Sequence, residues 1–207
     1  SRVSRSLGLQ RNQNPYPAVT AQVEGDFEPY MYMYFGGIAP GAYGWIIPKD
    51  GRANVGVGFS PKFAQGSLSG FFDTFAQKRG FTGYSKLEGK YVPSEGPIPR
   101  TVSGNGMVVG DAAGQVISVN GGGIPLAMIA GRVCGQVAAG NVNASSPLSD
   151  YEDQWRRIME KPLKTAAFNK KLADMFAFRS EKSTVLCMKI LGARRMSNLI
   201  RCKRIFP

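Results

Sequence analysis

Histidine is missing altogether from the 207 residues. That excludes Ser-His-Asp and Cys-His nucleophiles, His-ligated zinc and an imidazole proton shuttle. Cysteine is scarce. Cys134, Cys187 and Cys202 are too few and too scattered for a four-thiolate metal site or a disulfide framework. No metal site is expected, and such cysteine usage fits a reducing, intracellular compartment. No stretch reaches the roughly 20 apolar residues of a membrane-spanning helix, and no basic-then-apolar leader opens the chain. Charge is unevenly placed, with the basic residues gathered towards the end. Up to residue 150 there are 12 Lys/Arg against 9 Asp/Glu; beyond it there are 14 against 5, so +9 of the net +12 belongs to residues 151–207. Such a concentration of cations points to an anionic partner or to a solvated helical face.

What remains is a chain with a real core: 43% hydrophobic residues, 19% charged, and 26 glycines. Residues 1–100 read as strands. Residues 18–24 alternate apolar and polar, and the aromatic run 30–35 (Tyr-Met-Tyr-Met-Tyr-Phe) suits a buried or half-buried strand. Residues 43–48 and 53–59 flank Lys49-Asp50-Gly51, and Asp-Gly between two apolar runs predicts a hairpin. Leu68, Phe71, Phe72 and Phe75 have helical spacing, and Gly80 ends that helix. The expectation is an antiparallel sheet with one helix.

Residues 101–143 have another character. Residues 106–110 form a short, wholly apolar run of the kind buried on both faces of a sheet. It leads to Asp111-Ala112-Ala113-Gly114, a glycine triplet at 121–123, and a helix with Pro125 in its first turn. Ala127, Gly131, Gly135 and Ala139 make a small-residue stripe that would let another backbone approach. Residues 144–207 read as helices, with Ser149 and Glu152 spaced as a capping box and Pro162 expected to end or kink the first of them.

Two constellations carry chemistry. In the first, an apolar strand ends at Gly110-Asp111 and a glycine triplet opens a helix. There a carboxylate can reach polyol hydroxyls, bare backbone can touch a flat ring, and the helix N-terminus favours negative charge. A reduced flavin has both a polyol and an anionic ring, although a capping Asp in a glycine-rich turn without a ligand would look the same. In the second, Pro40, Tyr43, Trp45, Ile47 and Pro48 precede Gly56-Val57-Gly58. Tyr43 and Trp45 are two apart and share one strand face, where they could wall an apolar pocket or fill an ordinary core.

Together these residues resemble the geranylgeranyl reductase family, flavoproteins of the para-hydroxybenzoate hydroxylase superfamily, with the archaeal lipid-saturating enzymes most similar. The family pattern is Pro-x-x-Tyr-x-Trp-x-Phe-Pro, then seven or eight residues, then Gly-x-Gly. Pro40, Tyr43, Trp45, Pro48, Gly56 and Gly58 match, and Ile47 stands where the family has Phe. Residues 108–114 followed by Gly121, Gly122, Gly123 and Ile124 resemble the superfamily's second FAD motif.

The resemblance implies the C-terminal part of a hydroxylase-like flavoprotein of mixed α+β or α/β class. Residues 1–100 would be a substrate-binding cap with an antiparallel sheet, 101–143 the last strand-helix segment of an FAD domain, and 144–207 basic helices. It implies FAD as cofactor, held by Gly110, Asp111, Gly121, Gly122, Gly123 and Ile124. Pro40, Tyr43, Trp45, Ile47 and Pro48 would line the site for a prenyl lipid or prenyl diphosphate, whose C=C bonds take hydride from reduced flavin. An electron donor (NAD(P)H, ferredoxin or a deazaflavin) is implied as well. No side chain stands out as the catalytic proton donor. In this superfamily a stretch like residues 1–9 follows an Ala-Asp-Gly turn inside the protein, and no Gly-x-Gly-x-x-Gly fingerprint occurs here. A preceding Rossmann portion is therefore expected as a partner. The expected location is cytoplasmic, with peripheral contact at the inner face of the membrane through the basic helices. The rival readings are another superfamily flavoenzyme, such as an aromatic monooxygenase or an electron-transfer flavoprotein dehydrogenase, and a lipid- or nucleic-acid-binding module built on the basic tail. No nucleic-acid recognition signature supports the latter.

Overall fold

Alternating burial along residues 19–24, after the buried residues 16–18, marks an inner strand of an antiparallel sheet. In the computed structural model, which describes residues 1–143 and 147–203, the chain divides into two compact units. One comprises Tyr16–Val92 with Leu172–Leu191; the other comprises Ser1–Pro15, Pro93–Lys171 and residues from Gly192 onward. These cuts differ from the sequence division at 100 and 143. Residues 1–15 group with 93–171, and the C-terminal helices are shared between units instead of forming a region of their own.

The first unit holds strands β1 (Tyr16–Glu24), β2 (Tyr32–Tyr34), β3 (Gly44–Lys49), β4 (Arg52–Gly58) and β5 (Glu88–Val92), in the order β2-β3-β4-β1-β5. Every pairing is antiparallel. The β3–β4 hairpin turns at Asp50-Gly51, where Gly51 has φ +63°. One face, built by Val19, Ala21, Val23, Ile46, Ala53, Val55 and Val57, packs against Phe72, Phe75 and Ala76. Those three lie on helix α2 (Leu68–Lys78), whose N-cap Ser67 accepts from Gly70 N at 3.0 Å. The aromatic run 30–35 is shorter as a strand than its composition implies. Only residues 32–34 pair, forming the edge strand β2 alongside β3, and Tyr30 and Met31 are exposed.

The second unit begins with helix α1 (Arg2–Ser6) and contains the two-stranded β6 (Val102–Ser103) and β7 (Gly106–Met107). The apolar run 106–110 is a strand only at its first two residues. Val108 is buried and donates to Thr101 O at 2.9 Å, and Gly110 (φ +61°) turns the chain into the 3-10 segment Gly110–Ala113. Helices α3 (Ile124–Val142) and α4 (Asp150–Leu172) pack through Ala130, Val133 and Val137 against Tyr151, Trp155, Met159 and Leu163. The small-residue stripe on α3 lies elsewhere. Cβ atoms built at Gly131 and Gly135 meet nothing within 4 Å, so no backbone among the described residues approaches them.

Two other expectations are corrected on α4. Glu152 does not close a capping box; its carboxylate accepts from Thr101 N at 3.1 Å and pairs with Arg156. Of the two outcomes expected at Pro162, an end does not occur: the helix runs on for ten residues to Leu172. Proline frees one carbonyl a turn back, but Pro162 is on the exposed side, where solvent can take that carbonyl. Trp155, Met159, Leu163 and Ala166 stay buried on either side of it along the chain. A π-helical turn (Ala173–Ala177) follows, and then α5 (Glu181–Ile200), which breaks at Gly192 (φ +66°).

Candidate active site

The glycine-rich turn in the second unit is set by a buried hydrogen-bond chain. Gly110 N donates to Gln115 Oε1 (2.8 Å), Gln115 Nε2 to Tyr151 Oη (3.1 Å), and Tyr151 Oη to Val108 O (3.1 Å). Burial pushes the Tyr151 phenol up to about 12, with the Gln115 hydrogen bond acting the other way. Gly110 needs its positive φ, and a Cβ there would lie 3.1 Å from Ala127 Cβ. Gly114 has even less room, since its Cβ would fall 2.3 Å from Gly96 O.

From this turn the chain forms a bridge between Ile117 and Gly122. Asn120 Oδ1 accepts from Gly122 N (2.9 Å), while its Nδ2 donates to Ile200 O (3.3 Å). Gly123 is the N-cap of α3 and offers no side chain to cap it. Its Cβ position lies 3.2 Å from Asp111 Oδ1, so the carboxylate overhangs the helix N-terminus. Gly110, Asp111, Gly121, Gly122, Gly123 and Ile124 are thus brought together, with Ile124 78% exposed. The Asp111 side chain is exposed and makes no hydrogen bond among the described residues. Inside the same loop Ser118 Oγ is buried without a partner. An exposed carboxylate, an uncapped helix start and side-chain-free backbone suit a polyol-bearing planar anion, so the residues fit a flavin. Gln115, Asn120 and Ser118 were not singled out from the sequence. They carry no spacing signal, because each acts on backbone brought to it by the fold.

In the sheet unit, β3 and β4 position the aromatic residues. Tyr43 and Trp45 rings sit 5.9 Å apart edge to face, and Phe35 lies 5.9 Å from Tyr43. Trp45 pairs across the hairpin with Gly56, and a Cβ there would fall 2.1 Å from Trp45 Cζ2, so the indole lies flat over the glycine. Asn54 Oδ1 accepts from Trp45 Nε1 at 2.8 Å. Burial pushes the Tyr43 phenol up to about 12. Pro40 O accepts from Ser60 N (2.8 Å), and Gly41 (φ +74°) has no space for a side chain, its Cβ falling 2.4 Å from Phe63. Ile47 follows Trp45 by two residues and is exposed, whereas Pro48 pairs with Ala53 on the alternate parity. The sequence pattern therefore gathers Tyr43, Trp45 and Ile47 on one face, with Pro40 and Pro48 bracketing the strand. Asn54 is the residue the sequence reading missed.

Comparison with known proteins agrees with this architecture. A flavin-dependent halogenase from Xanthomonas campestris shares the fold over 81% of this chain and 34% of its own, with TM-score 0.56 and 14% identity. A geranylgeranyl bacteriochlorophyll reductase-like protein from Thermoplasma acidophilum aligns with TM-score 0.68 and 28% identity over 79% of this chain and 44% of its own. The fold is that of the flavin-dependent halogenases and monooxygenases. Residues 15–89, which include the whole aromatic strand pair, match the geranylgeranyl reductase catalytic domain. Digeranylgeranylglycerophospholipid reductase 2 of Methanothermobacter thermautotrophicus is 38% identical over 187 residues, covering 84% of this chain and 48% of the relative. The chain belongs to the geranylgeranyl reductase family and spans about half the length of the curated relatives it matches.

Two outcomes follow from these contacts. Gly56→Ala drives a methyl into the indole and is expected to destabilise by about 1–3 kcal/mol, as overpacking does; it should also shift Trp45 emission, read as the difference from a Trp45→Phe background. Unchanged emission and stability would contradict the packing. The phenols of Tyr43 and Tyr151, both raised to about 12 from 10, make a stabilising contribution that is complete below pH 10 and disappears as pH rises towards 12. Unfolding temperatures measured across that window should fall, and Tyr43→Phe or Tyr151→Phe should flatten the slope.

Proposed function

We propose that this chain is the substrate-binding sheet and cofactor-closing segment of a flavin-dependent reductase that saturates isoprenoid C=C bonds in prenyl lipids or prenyl diphosphates. The observation that carries the reading is the Trp45 indole, pinned by Asn54 and laid on Gly56, beside Tyr43 within the matched catalytic domain. A geranylgeranyl chain has no polar group along its length. It is recognised by shape and apolar contact, which rigid aromatic walls supply at little entropic cost.

FAD would be held by Asp111 on its ribityl hydroxyls and by the backbone of Gly121, Gly122, Gly123 and Ile124 along its ring; when bound and reduced, it supplies hydride. The N-terminus of α3 favours negative charge at that place. Tyr43 and Trp45 orient the alkene and exclude water from it. Electrons come from NAD(P)H, a ferredoxin or a deazaflavin. The open face of α3, with Met128 and Val142 exposed beside Gly131 and Gly135, receives a Rossmann portion corresponding to the half of the relatives' length outside this match. The working location is cytoplasmic.

With no Gly-x-Gly-x-x-Gly fingerprint for the pyrophosphate, the 207 residues alone are expected to bind FAD weakly. Fluorescence titration checks this, and tight stoichiometric binding would contradict it. In FAD-loaded enzyme reduced with dithionite, a geranylgeranyl lipid should gain H2 per double bond by mass spectrometry. Trp45→Ala should lower kcat/KM at least tenfold, which is about 1.4 kcal/mol of lost positioning. A hydroxylated product in air would instead identify a monooxygenase.

A further inference from the structure

We propose that the π-helical turn and the first half of α5 form a docking surface for an anionic lipid bilayer. The proposal rests on the reading that the substrate is a prenyl lipid, and it narrows the basic region 151–207 to one element within the sheet unit. On α5, Lys182, Val185, Leu186, Lys189 and Ile190 follow i, i+3, i+4, i+7, i+8 spacing and form one exposed stripe. Val185 is 46%, Leu186 58% and Ile190 65% exposed; Met175 and Phe176 on the preceding turn are 57% and 59% exposed.

The patch is held in place. Thr184, on the opposite side of the helix, is buried and donates to Ala177 O (2.9 Å). Ser180 and Ser183 cap each other's backbone N–H at 2.9 and 3.1 Å. Asp174 accepts from Tyr16 Oη (3.3 Å) and pairs with Lys62 (3.9 Å), and Phe178 packs on Phe63.

Charge selects the occupant. Arg179, Lys182 and Lys189 are exposed, whereas of the two acids Asp174 is engaged by Tyr16 and Lys62, and Glu181 lies against the Gly36 and Gly37 backbone. Lysines set among large apolar side chains, with long stems that lift the ammonium to the headgroup level, match a surface that is apolar inside and anionic at its rim. The contact is peripheral, since no described helix is long and apolar enough to cross a membrane.

Co-sedimentation of the chain with phosphatidylcholine vesicles, with and without phosphatidylglycerol, tests this. Binding is expected only with the anionic lipid and should weaken with salt. Leu186→Glu/Ile190→Glu and Lys182→Glu/Lys189→Glu should each reduce it roughly tenfold or more, and Tyr91→Glu, equally exposed in the same unit but outside the patch, should leave it unchanged. Circular dichroism melting establishes that the variants are folded. No binding, equal binding to neutral vesicles, or insensitivity to the α5 variants would overturn the proposal. So would a dimer in sedimentation velocity that Leu186→Glu/Ile190→Glu dissociates, because the face would then join two copies of the chain. These vesicles contain no prenyl chains, and prenyl-lipid saturation assayed in detergent micelles does not need the surface, so the docking proposal and the reductase reading fail separately.

Discussion

The glycine-rich turn depends on a phenol three dozen residues away. Gly110 must present its N–H inward because its positive φ leaves no other course for the chain, and Val108 presents its carbonyl into the same buried space. Gln115 and Tyr151 satisfy both groups in one unbroken chain of hydrogen bonds. A single orphaned group there would cost about 1–3 kcal/mol, so the turn, the loop after it and α4 hold their positions together. Thr101 repeats the pattern one layer away, donating its N–H to Glu152 and accepting from the Trp155 indole at 2.9 Å. The helix that carries Tyr151, Glu152 and Trp155 has no ligand chemistry of its own, yet it fixes where Asp111 and the start of α3 must be.

On the sheet, the constraint is a missing side chain. Any residue but glycine at 56 would occupy the plane of the indole, and Asn54, one strand position pair away on the same face, fixes the ring's rotation through its only donor. Gly41 and Gly44 act likewise, the former beneath Phe63 and the latter against the Phe75 ring. The aromatic wall is therefore assembled from both sides of β3. The core face packs Ile46 and Phe75, and the open face is left to Tyr43, Trp45 and Ile47.

Much of this was legible in the residues. The Asp-Gly hairpin, the alternation of β1, the phenylalanine spacing of α2 and Pro125 at the start of α3 are local signals, and each element formed where its signal stood. The grouping of Asp111 with the glycine triplet and of Tyr43 with Trp45 was also readable, since both follow from chain spacing. What was not readable depends on partners distant in sequence. Pro162 passes through a helix because its buried neighbours outweigh one lost hydrogen bond. Glu152 turns away from Ser149 because Thr101 and Arg156 are within its reach. The apolar run 106–110 is strand for two residues only, because its partner β6 offers just Val102 and Ser103 to pair with. Asn54, Gln115 and Ser118 have no periodicity and became visible only as hydrogen-bond partners or as an orphan.

An isolated alkene sets a peculiar demand on a protein, because it offers nothing to hydrogen-bond and little charge to stabilise before it reacts. On the proposed reading, the open sheet face would meet that demand with groups that stay neutral. Tyr43 keeps its proton at physiological pH, Asn54 is committed to the indole, and Thr20, cross-strand from Gly56, donates to Val55 O at 2.9 Å. On the proposed reading, such a face holds an apolar chain in one orientation and offers no hydride of its own. On the same reading the hydride comes from a bound flavin, and the residues described here would contribute by placement: a flat anion at the start of α3 and an apolar chain against Trp45. The absence of histidine is consistent with that division, since neither task calls for a side chain that titrates near neutrality.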